Sequence, residues 1–268
     1  MTASHLFAVC AYGESPYLEE AVRSIADQTL VTGAIVATST PNPAIESVCS
    51  KYGLELFVND RPPGIGTDWN FALDSANADL VTLCHQDDFF DPRYAERVLA
   101  RMKGDSIIAF TDYYEEKDGV LVKGGLNLSI KRLMLSPFLV PGVSGSIAVR
   151  RMILSMGSPI CCPSVTYNKR AVGDLRFSAD LRCDLDWDFW ERSSRLKGGF
   201  VYVPEPLMTH RIHTGSETTR LIGENVRGRE DLAMFRRFWP DWAASLIYGL
   251  YSFSQRSNAS KPGKGAGK

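Results

Sequence analysis

Three short stretches hold residue types and spacings that could do chemistry. The first, LCHQDDFFDP from Leu83 to Pro92, sets His85, Asp87 and Asp88 at the end of the apolar run LVTLC. Several ionisable groups at the end of a buried segment are costly unless something pairs with them. Clustered oxygen ligands suit a hard divalent cation, Mg²⁺ or Mn²⁺, whose other ligands are waters or phosphates. Capping the following helix needs one side chain, and Asp91 suffices, so capping does not account for three. The second stretch, CDLDWDFW, spaces Asp184, Asp186 and Asp188 at i, i+2 and i+4. On a helix Asp184 and Asp188 share a face and Asp186 points elsewhere. A helix starting near Asp186 favours the ionised carboxylate at its positive end, and such a group in a cleft can act as a general base. Plain N-capping explains the same residues, and both readings stay open. The third stretch, HRIHTGSET, holds His210 and His213, two of the four histidines. His213 precedes Thr214, Gly215 and Ser216 in a polar loop, where an imidazole could reach a metal or a phosphate.

The elements that must position these groups alternate along the first half. HLFAVCAY reads as a buried strand, and the helix after it can be capped by Ser15, with Pro16 at its first position and Tyr17, Leu18, Ala21, Val22 and Ile25 recurring at helical spacing. GAIVATST is a second strand, PNPAIESVCSKYG a helix closed by Gly53, and LELFVND a third strand. TDWNFALDSANA is a helix capped by Thr67 or Asp68, ADLVTLCHQDD a fourth strand, DPRYAERVLARMKG a helix and SIIAFTDYYEE a fifth strand. This alternation through Glu116 predicts parallel βαβ units, an α/β class with helices on both faces of the sheet. Ligands of such sheets bind at the carboxyl ends of the strands, which is where the first stretch falls.

After Gly119 the pattern changes. KDGV reads as a hairpin turn, residues 125–165 as loops and short helices, DLDWDFWERSSRLKG as a helix, and GGFVYVPEPLMTHRIH as a strand followed by a loop. EDLAMFRRFWPDWAASLIYGLYSF is aromatic and amphipathic but broken at Pro240. We expect one domain over residues 1–255, with halves at 1–118 and 119–220 and a helical segment at 221–255. The Gly/Lys-rich residues 256–268 read as a disordered basic tail.

The composition narrows the class. The chain has 268 residues, 44% of them hydrophobic, enough for a sizeable core. A formal net charge of -1 gives no electrostatic reason to expect nucleic acid. Six cysteines without CxxC spacing fit free thiols in a reducing cytosol better than disulfides or structural zinc. The N-terminus lacks a basic leader, and no apolar run reaches the ~18 residues that span a bilayer. A cytoplasmic protein, at most peripheral to a membrane's inner face, is expected. There is no GxxxxGK[ST] loop, no GxGxxG fingerprint and no GxSxG elbow.

The order AYGESPYLEEAVRSIADQT, DWNFALDSANADLVTLCHQDD, DLDWDFW and VPEPLMTHRIHTGS strongly resembles the inverting, nucleotide-sugar-dependent glycosyltransferases of family 2, over about residues 5–216. The resemblance implies a GT-A fold, a mostly parallel Rossmann-like sheet with a smaller mixed acceptor-side region. It also implies a divalent metal, Mn²⁺ or Mg²⁺, bridging the donor diphosphate to the DXD segment, and a carboxylate base that activates an acceptor hydroxyl. Carried over, Asp87 is the metal-binding Asp, followed by Asp88, and His213 completes the metal or diphosphate site. Ala11, Tyr12, Glu14, Thr38, Asp68, Asn70, His85 and Gln86 join Asp87 around the nucleotide sugar. Asp186 is the base, and Cys162, Pro163, Ser164 and Trp187 fall at the sugar and acceptor pocket. Three positions depart from the pattern: His85 replaces the first Asp of DXD, TSTPNP replaces an acidic segment, and Leu185 replaces the Glu before Asp186. The implied substrates are a UDP-linked sugar and a saccharide or lipid-linked acceptor in cell-surface polysaccharide or glycolipid assembly. A nucleotidyltransferase would also need an acidic strand end, but AYGESPYLEE lacks the glycine-rich basic loop such enzymes carry. An inactive nucleotide-sugar-binding module is disfavoured by the retained Asp87, Asp186 and His213. The segment FWPDWAASLIYGLYSF covers the core or touches a membrane surface.

Overall fold

The computed structural model describes residues 3–213 and 226–259. Strands β1 (His5–Ala11), β2 (Gly33–Thr38), β3 (Glu55–Val58) and β4 (Leu80–His85) are parallel and joined by helices α1 (Leu18–Ala26), α2 (Pro43–Tyr52) and α3 (Ile65–Ser75). Short β5 (Phe89–Phe90) and α4 (Tyr94–Arg101) lead into β6 (Ser106–Lys117), which turns back at Asp118 and Gly119 into β7 (Val120–Val122). Helices α5 (Leu126–Leu135) and α6 (Ile147–Leu154) follow, then β8 (Val165–Asn168), α7 (Lys169–Val172), α8 (Leu185–Ser193) and β9 (Gly199–Ile212). Helices α9 (Val226–Arg236) and α10 (Asp241–Ala259) close the described chain. One nine-stranded sheet runs β3-β2-β1-β4-β8-β6-β9-β5, with β7 on β6; β8 is antiparallel to β4 and β6.

Alternation along the strands divides the core between the two faces of the sheet. Phe7, Val9, Val36 and Cys84 face one layer with α1, α2 and α4. Ala8, Ile35, Val81 and Leu83 face the other, with α3 and the aromatic residues of α8 and α9.

Four local expectations change. Ser15 does not cap α1; its Oγ accepts from Tyr17 N–H at 3.3 Å, and the helix begins at Leu18. Neither Thr67 nor Asp68 caps α3, which starts two residues earlier behind Gly64. Its first turn lies so close to the segment before α8 that a Cβ on Gly66 would sit 2.4 Å from the Ser178 carbonyl oxygen. The segment GGFVYVPEPLMTHRIH is not a strand followed by a loop. Pro204 and Pro206 fall where the β6 register shifts, so missing N–H groups cost no ladder bonds there and β9 continues to Ile212. His210 is therefore on a strand, and His213 is the first residue beyond it. Finally, α10 runs to Ala259, past the expected start of the tail; residues 260–268 lie outside the described residues, as do Thr214, Gly215 and Ser216.

Candidate active site

The carboxyl ends of β1, β2 and β4 meet at one edge of the sheet, and short polar side chains stitch their loops together. Gln86 grips the backbone of Tyr12: its Nε2 donates to the Tyr12 carbonyl at 3.0 Å, and Tyr12 N–H donates to its Oε1 at 2.9 Å. Both ends of that amide are committed, so Gln86 holds the β1 loop rather than a nucleotide. Gly13 N–H donates to Thr40 Oγ1, and Asn42 Nδ2 donates to the Gly13 carbonyl. Thr38 is buried, its Oγ1 accepting from Thr40 N–H at 3.0 Å. Asp68 accepts from Ser39 Oγ at 2.9 Å and Asn59 Nδ2 at 2.8 Å, which fixes it between the ends of β2 and β3. Ala11 is buried and can offer only its backbone, whereas Tyr12 and Glu14 are exposed. Asn70 faces the backbone of Phe177. Its Nδ2 donates to the Phe177 carbonyl at 2.9 Å and its Oδ1 accepts from Phe177 N–H at 2.8 Å, so it ties α3 to the segment before α8.

Beyond β4 the chain turns through Gln86 and Asp87 into β5. Asp88 is fully buried; its Oδ1 accepts from Arg211 N–H at 2.9 Å and lies 3.0 Å from His210 Nδ1. Burial opposes ionisation of both groups, but their mutual attraction outweighs it, leaving the Asp88 carboxyl below and the His210 imidazole above their usual ranges. His85 is different. Burial pushes its imidazole down against the pull of Asp88 and Asp87. The ring stacks on Trp69, centroids 4.9 Å apart. Its Nδ1 lies 3.7 Å from Asp88 Oδ2, and neither His85 Nε2 nor Asp88 Oδ2 has a hydrogen-bond partner. Asp87 Oδ2 is 3.1 Å from His213 Nε2. One ligand atom each from His85, Asp87 and Asp88 falls within 4.8 Å of the others. Buried, unpartnered ligand atoms around a carboxylate are what a divalent cation would satisfy, so these residues fit one.

Arg211 is the organiser that sequence reasoning missed. Its Nη1 donates to the Asp87 carbonyl at 3.0 Å, its Nε to Glu116 and its Nη2 to Glu20. The guanidinium also lies over Tyr17, 4.3 Å from the ring centre. Nothing local in HRIH marks it, because Glu20 and Glu116 come from α1 and β6.

The structure separates the three carboxylates of CDLDWDFW. Asp188 is buried and accepts from Arg192 and Arg237. Asp184 is buried beside Asp231; burial and then that carboxylate raise its proton affinity well above the usual range. Asp186 is half-buried at the start of α8, where one oxygen accepts from Trp187 N–H at 2.6 Å. Burial pushes its carboxyl up to about 6, opposed by the Trp187 N–H, Arg227 and Lys131. The loop leading to it is braced by Glu230 of α9, another residue the sequence did not single out. Its carboxylate accepts from the N–H groups of Arg182, Cys183 and Asp184.

The residues expected at the sugar pocket are mostly buried. Trp187 is fully buried among Phe235 and Tyr251, its indole N–H donating to the Leu154 carbonyl at 3.0 Å, so it is a core side chain. An apolar ring on a helix is drawn to the core regardless of the neighbouring carboxylate. Cys162, Pro163 and Ser164 form a buried 3-10 turn. Ser164 Oγ donates to Cys161 O, and Tyr94 Oη donates to Ser164 O. Cys161 is only half-buried, and its thiol is pushed up by burial and, more weakly, by both Asp88 and Asp186, so the turn adjoins both carboxylate groups. All six cysteines are unpaired.

The profile described as Glycosyl transferase family 2 matches residues 7–155, more than half of the chain. The chain belongs to that family. Solved structures share its GT-A fold. The S. aureus TarS 1-349 complex with UDP-GlcNAc superposes with a TM-score of 0.64 at 16% identity, covering 91% of this chain and 70% of that one. The mannosyltransferase PcManGT of Pyrobaculum calidifontis, with GDP-Man and Mn²⁺, gives 0.64 at 13%, covering 98% and 77%. Glucosyl-3-phosphoglycerate synthase of Mycobacterium tuberculosis, with Mn²⁺ and UDP-Glc, gives 0.58 at 15%, covering 88% and 79%. No curated protein matches the chain. No described helix of this glycosyltransferase is long and apolar enough to cross a membrane.

Proposed function

We propose that this glycosyltransferase moves a sugar, with inversion, from a UDP-linked donor to a hydroxyl of a saccharide or lipid-linked acceptor, using Asp186 as the general base. One observation carries the reading. Of the three clustered carboxylates, Asp188 is neutralised by two arginines and Asp184 is held by Asp231, whereas Asp186 accepts only from Trp187 N–H among the described residues and has its carboxyl pushed by burial up to about 6. A base poised there is ionised at neutral pH yet basic enough to receive a proton. Asp186 takes the acceptor hydroxyl proton as the oxygen bonds to the anomeric carbon. The bond from that carbon to the diphosphate breaks, and the nucleoside diphosphate leaves with the electron pair.

Asp87 and His213 would hold a divalent ion, Mn²⁺ or Mg²⁺, with His85 beside them. When bound, the ion neutralises the charge that grows on the leaving diphosphate. Asp88 Oδ1, paired with His210 and Arg211, fixes the direction of the Asp87 turn, while its Oδ2 stays within the cluster that would take the ion. Asp68, Thr38, Tyr12 and Glu14 border the nucleoside site, with Gln86 and Asn70 acting as braces. Strands β1 to β4 with their helices form the donor half, β6 to β9 with α5 to α8 the acceptor half, and α9 and α10 the helical cover of one catalytic unit working at the cytoplasmic face of a membrane in polysaccharide or glycolipid assembly.

The test is a screen of nucleotide sugars for Mn²⁺-dependent binding and transfer, with product anomeric configuration read by NMR. Asp87→Ala is expected to lose metal-dependent donor binding. Asp186→Ala is expected to bind donor normally and lose transfer. Full transfer by both variants, or retention of configuration, would overturn the assignment.

A further inference from the structure

The acceptor side exposes two apolar rows that the core does not use. On α5, Leu126, Ile130 and Leu133 recur at i, i+4 and i+7 and stand out to solvent, Leu126 at 72% and Leu133 at 73%. On α10, Trp242, Leu246 and Leu250 repeat every four residues, exposed at 75%, 62% and 69%. The opposite side of α10 does pack: Ala243 and Ala244 are buried, and Ile247, Tyr248 and Tyr251 lie on the core. The helix therefore covers the core with one face and presents an unpaired apolar face with the other. Rows of this length on two helices exceed the scattered exposed leucines of an ordinary surface.

Charge says what such a face can meet. From Gly119 to Gly173 the sequence contains no Asp or Glu, and seven Lys or Arg. Arg132 and Arg151 turn inward to Asp112 and Glu191, while Lys123 stays exposed. After Asp241 the sequence again has no carboxylate, and Arg256, Lys261, Lys264 and Lys268 follow the α10 row. The exposed Lys123 precedes the α5 row, and Asp241, the carboxylate beside Trp242, pairs with Arg236; apolar rows with this basic balance and a Trp near one end suit the headgroup boundary of an anionic bilayer. Two copies meeting on this face would bring like charges together, which disfavours a homodimer there.

The two helices also adjoin the proposed chemistry. Tyr251 of α10 packs on Trp187, the residue after Asp186, with ring centroids 6.3 Å apart, and Lys131 of α5 donates to Tyr113 Oη of β6 at 2.9 Å. We propose that the outward faces of α5 and α10 dock the enzyme on an anionic lipid surface, with the Asp186 side turned towards acceptors held at that surface. The acceptor class rests on the transfer reading above; the docking itself does not.

The test is flotation of the full chain with vesicles of phosphatidylcholine alone or with about a third phosphatidylglycerol. Two variants carry serine on one row each: Leu126→Ser, Ile130→Ser, Leu133→Ser, and Trp242→Ser, Leu246→Ser, Leu250→Ser. Each sample is also assayed for binding a panel of UDP- and GDP-linked sugars, which reports that the fold is intact. Wild type is expected to float with the anionic vesicles, less so at high salt, and each triple variant to lose about tenfold or more in partition while keeping donor affinity. Wild type left at the bottom, or variants that float equally well, would overturn the docking surface. So would a solution dimer by light scattering that the variants convert to monomer. Flotation without any donor binding by wild type would instead overturn the transfer reading and leave the surface standing.

Discussion

The donor side and the acceptor side of this glycosyltransferase solve the problem of placing polar groups in opposite ways. At the ends of β1, β2 and β4, the polar side chains grip backbone or one another. Gln86 closes two bonds on Tyr12, Asp68 accepts from Ser39 and Asn59, and Thr38 supports Thr40. The loops are thus held in shape before any ligand arrives, which lowers the ordering cost of binding. Around α8 the carboxylates fall into different states, because Arg192 of α8 and Arg237, just beyond α9, neutralise Asp188 while burial leaves Asp186 with a raised proton affinity. Under the proposed function, rigidity serves recognition on one side, and unequal environments for like groups serve proton transfer on the other.

The largest expected effect would break this contrast at its centre. Asp186→Asn should lower kcat by about 10²–10⁴-fold with little change in donor KM or melting temperature, measured by steady-state kinetics and calorimetry. Asp188→Asn should do the reverse. It leaves Arg192 and Arg237 facing a neutral partner and should cost about 2–3 kcal/mol in denaturant unfolding, since both arginines are partly solvated. If the two variants swap phenotypes, the base has been assigned to the wrong carboxylate.

The pH profile sharpens the same point. The base must be ionised to accept a proton, so protonating Asp186 removes activity. The rate should fall about tenfold per pH unit below about 6 and level off above it, with the inflection absent in Asp186→Asn. A wild-type profile flat between pH 5 and 7, in the range set by that shift, would argue against Asp186 as base.

Smaller effects test the braces. Gly66→Ala puts a Cβ 2.4 Å from Ser178 O and 2.9 Å from the Leu185 side chain, where the backbone cannot easily give way. It should cost about 1–3 kcal/mol of stability by thermal unfolding and, by shifting the start of α8, reduce kcat more than donor affinity. The smallest is Gln86→Ala. Releasing Tyr12 should weaken donor binding by roughly 1 kcal/mol, read by calorimetric titration, without moving the Asp186 inflection. A loss confined to kcat would place Gln86 at the chemistry instead.

Much of the frame was legible in the amino-acid order because it depends on local period and punctuation. The strands of β1 to β4 show apolar runs, and α2 carries its own signals, Asn42 accepting from Ala44 and Ile45 N–H and Gly53 in the left-handed region at φ 65°. The strand-end cluster of His85, Asp87 and Asp88 announced itself by charge where burial was expected. Less legible were elements whose reason lies elsewhere in the chain. β5 is two residues long and exists by pairing with β9, and β9 passes through Pro204 and Pro206 at a register shift against β6.

What the sequence by itself determined is the set of groups available and the strand and helix ends on which they sit, since side-chain chemistry and periodicity are local properties. Only the tertiary structure decided what each group does. It spent the amides of Gln86 and Asn70 on backbone, buried Trp187, recruited Arg211 and Glu230 as clamps, and gave Asp184, Asp186 and Asp188 three different fates. The physical reason is that hydrogen-bond commitment and proton affinity depend on which groups arrive from distant segments, and a carboxylate's neighbours across space are not its neighbours in the chain.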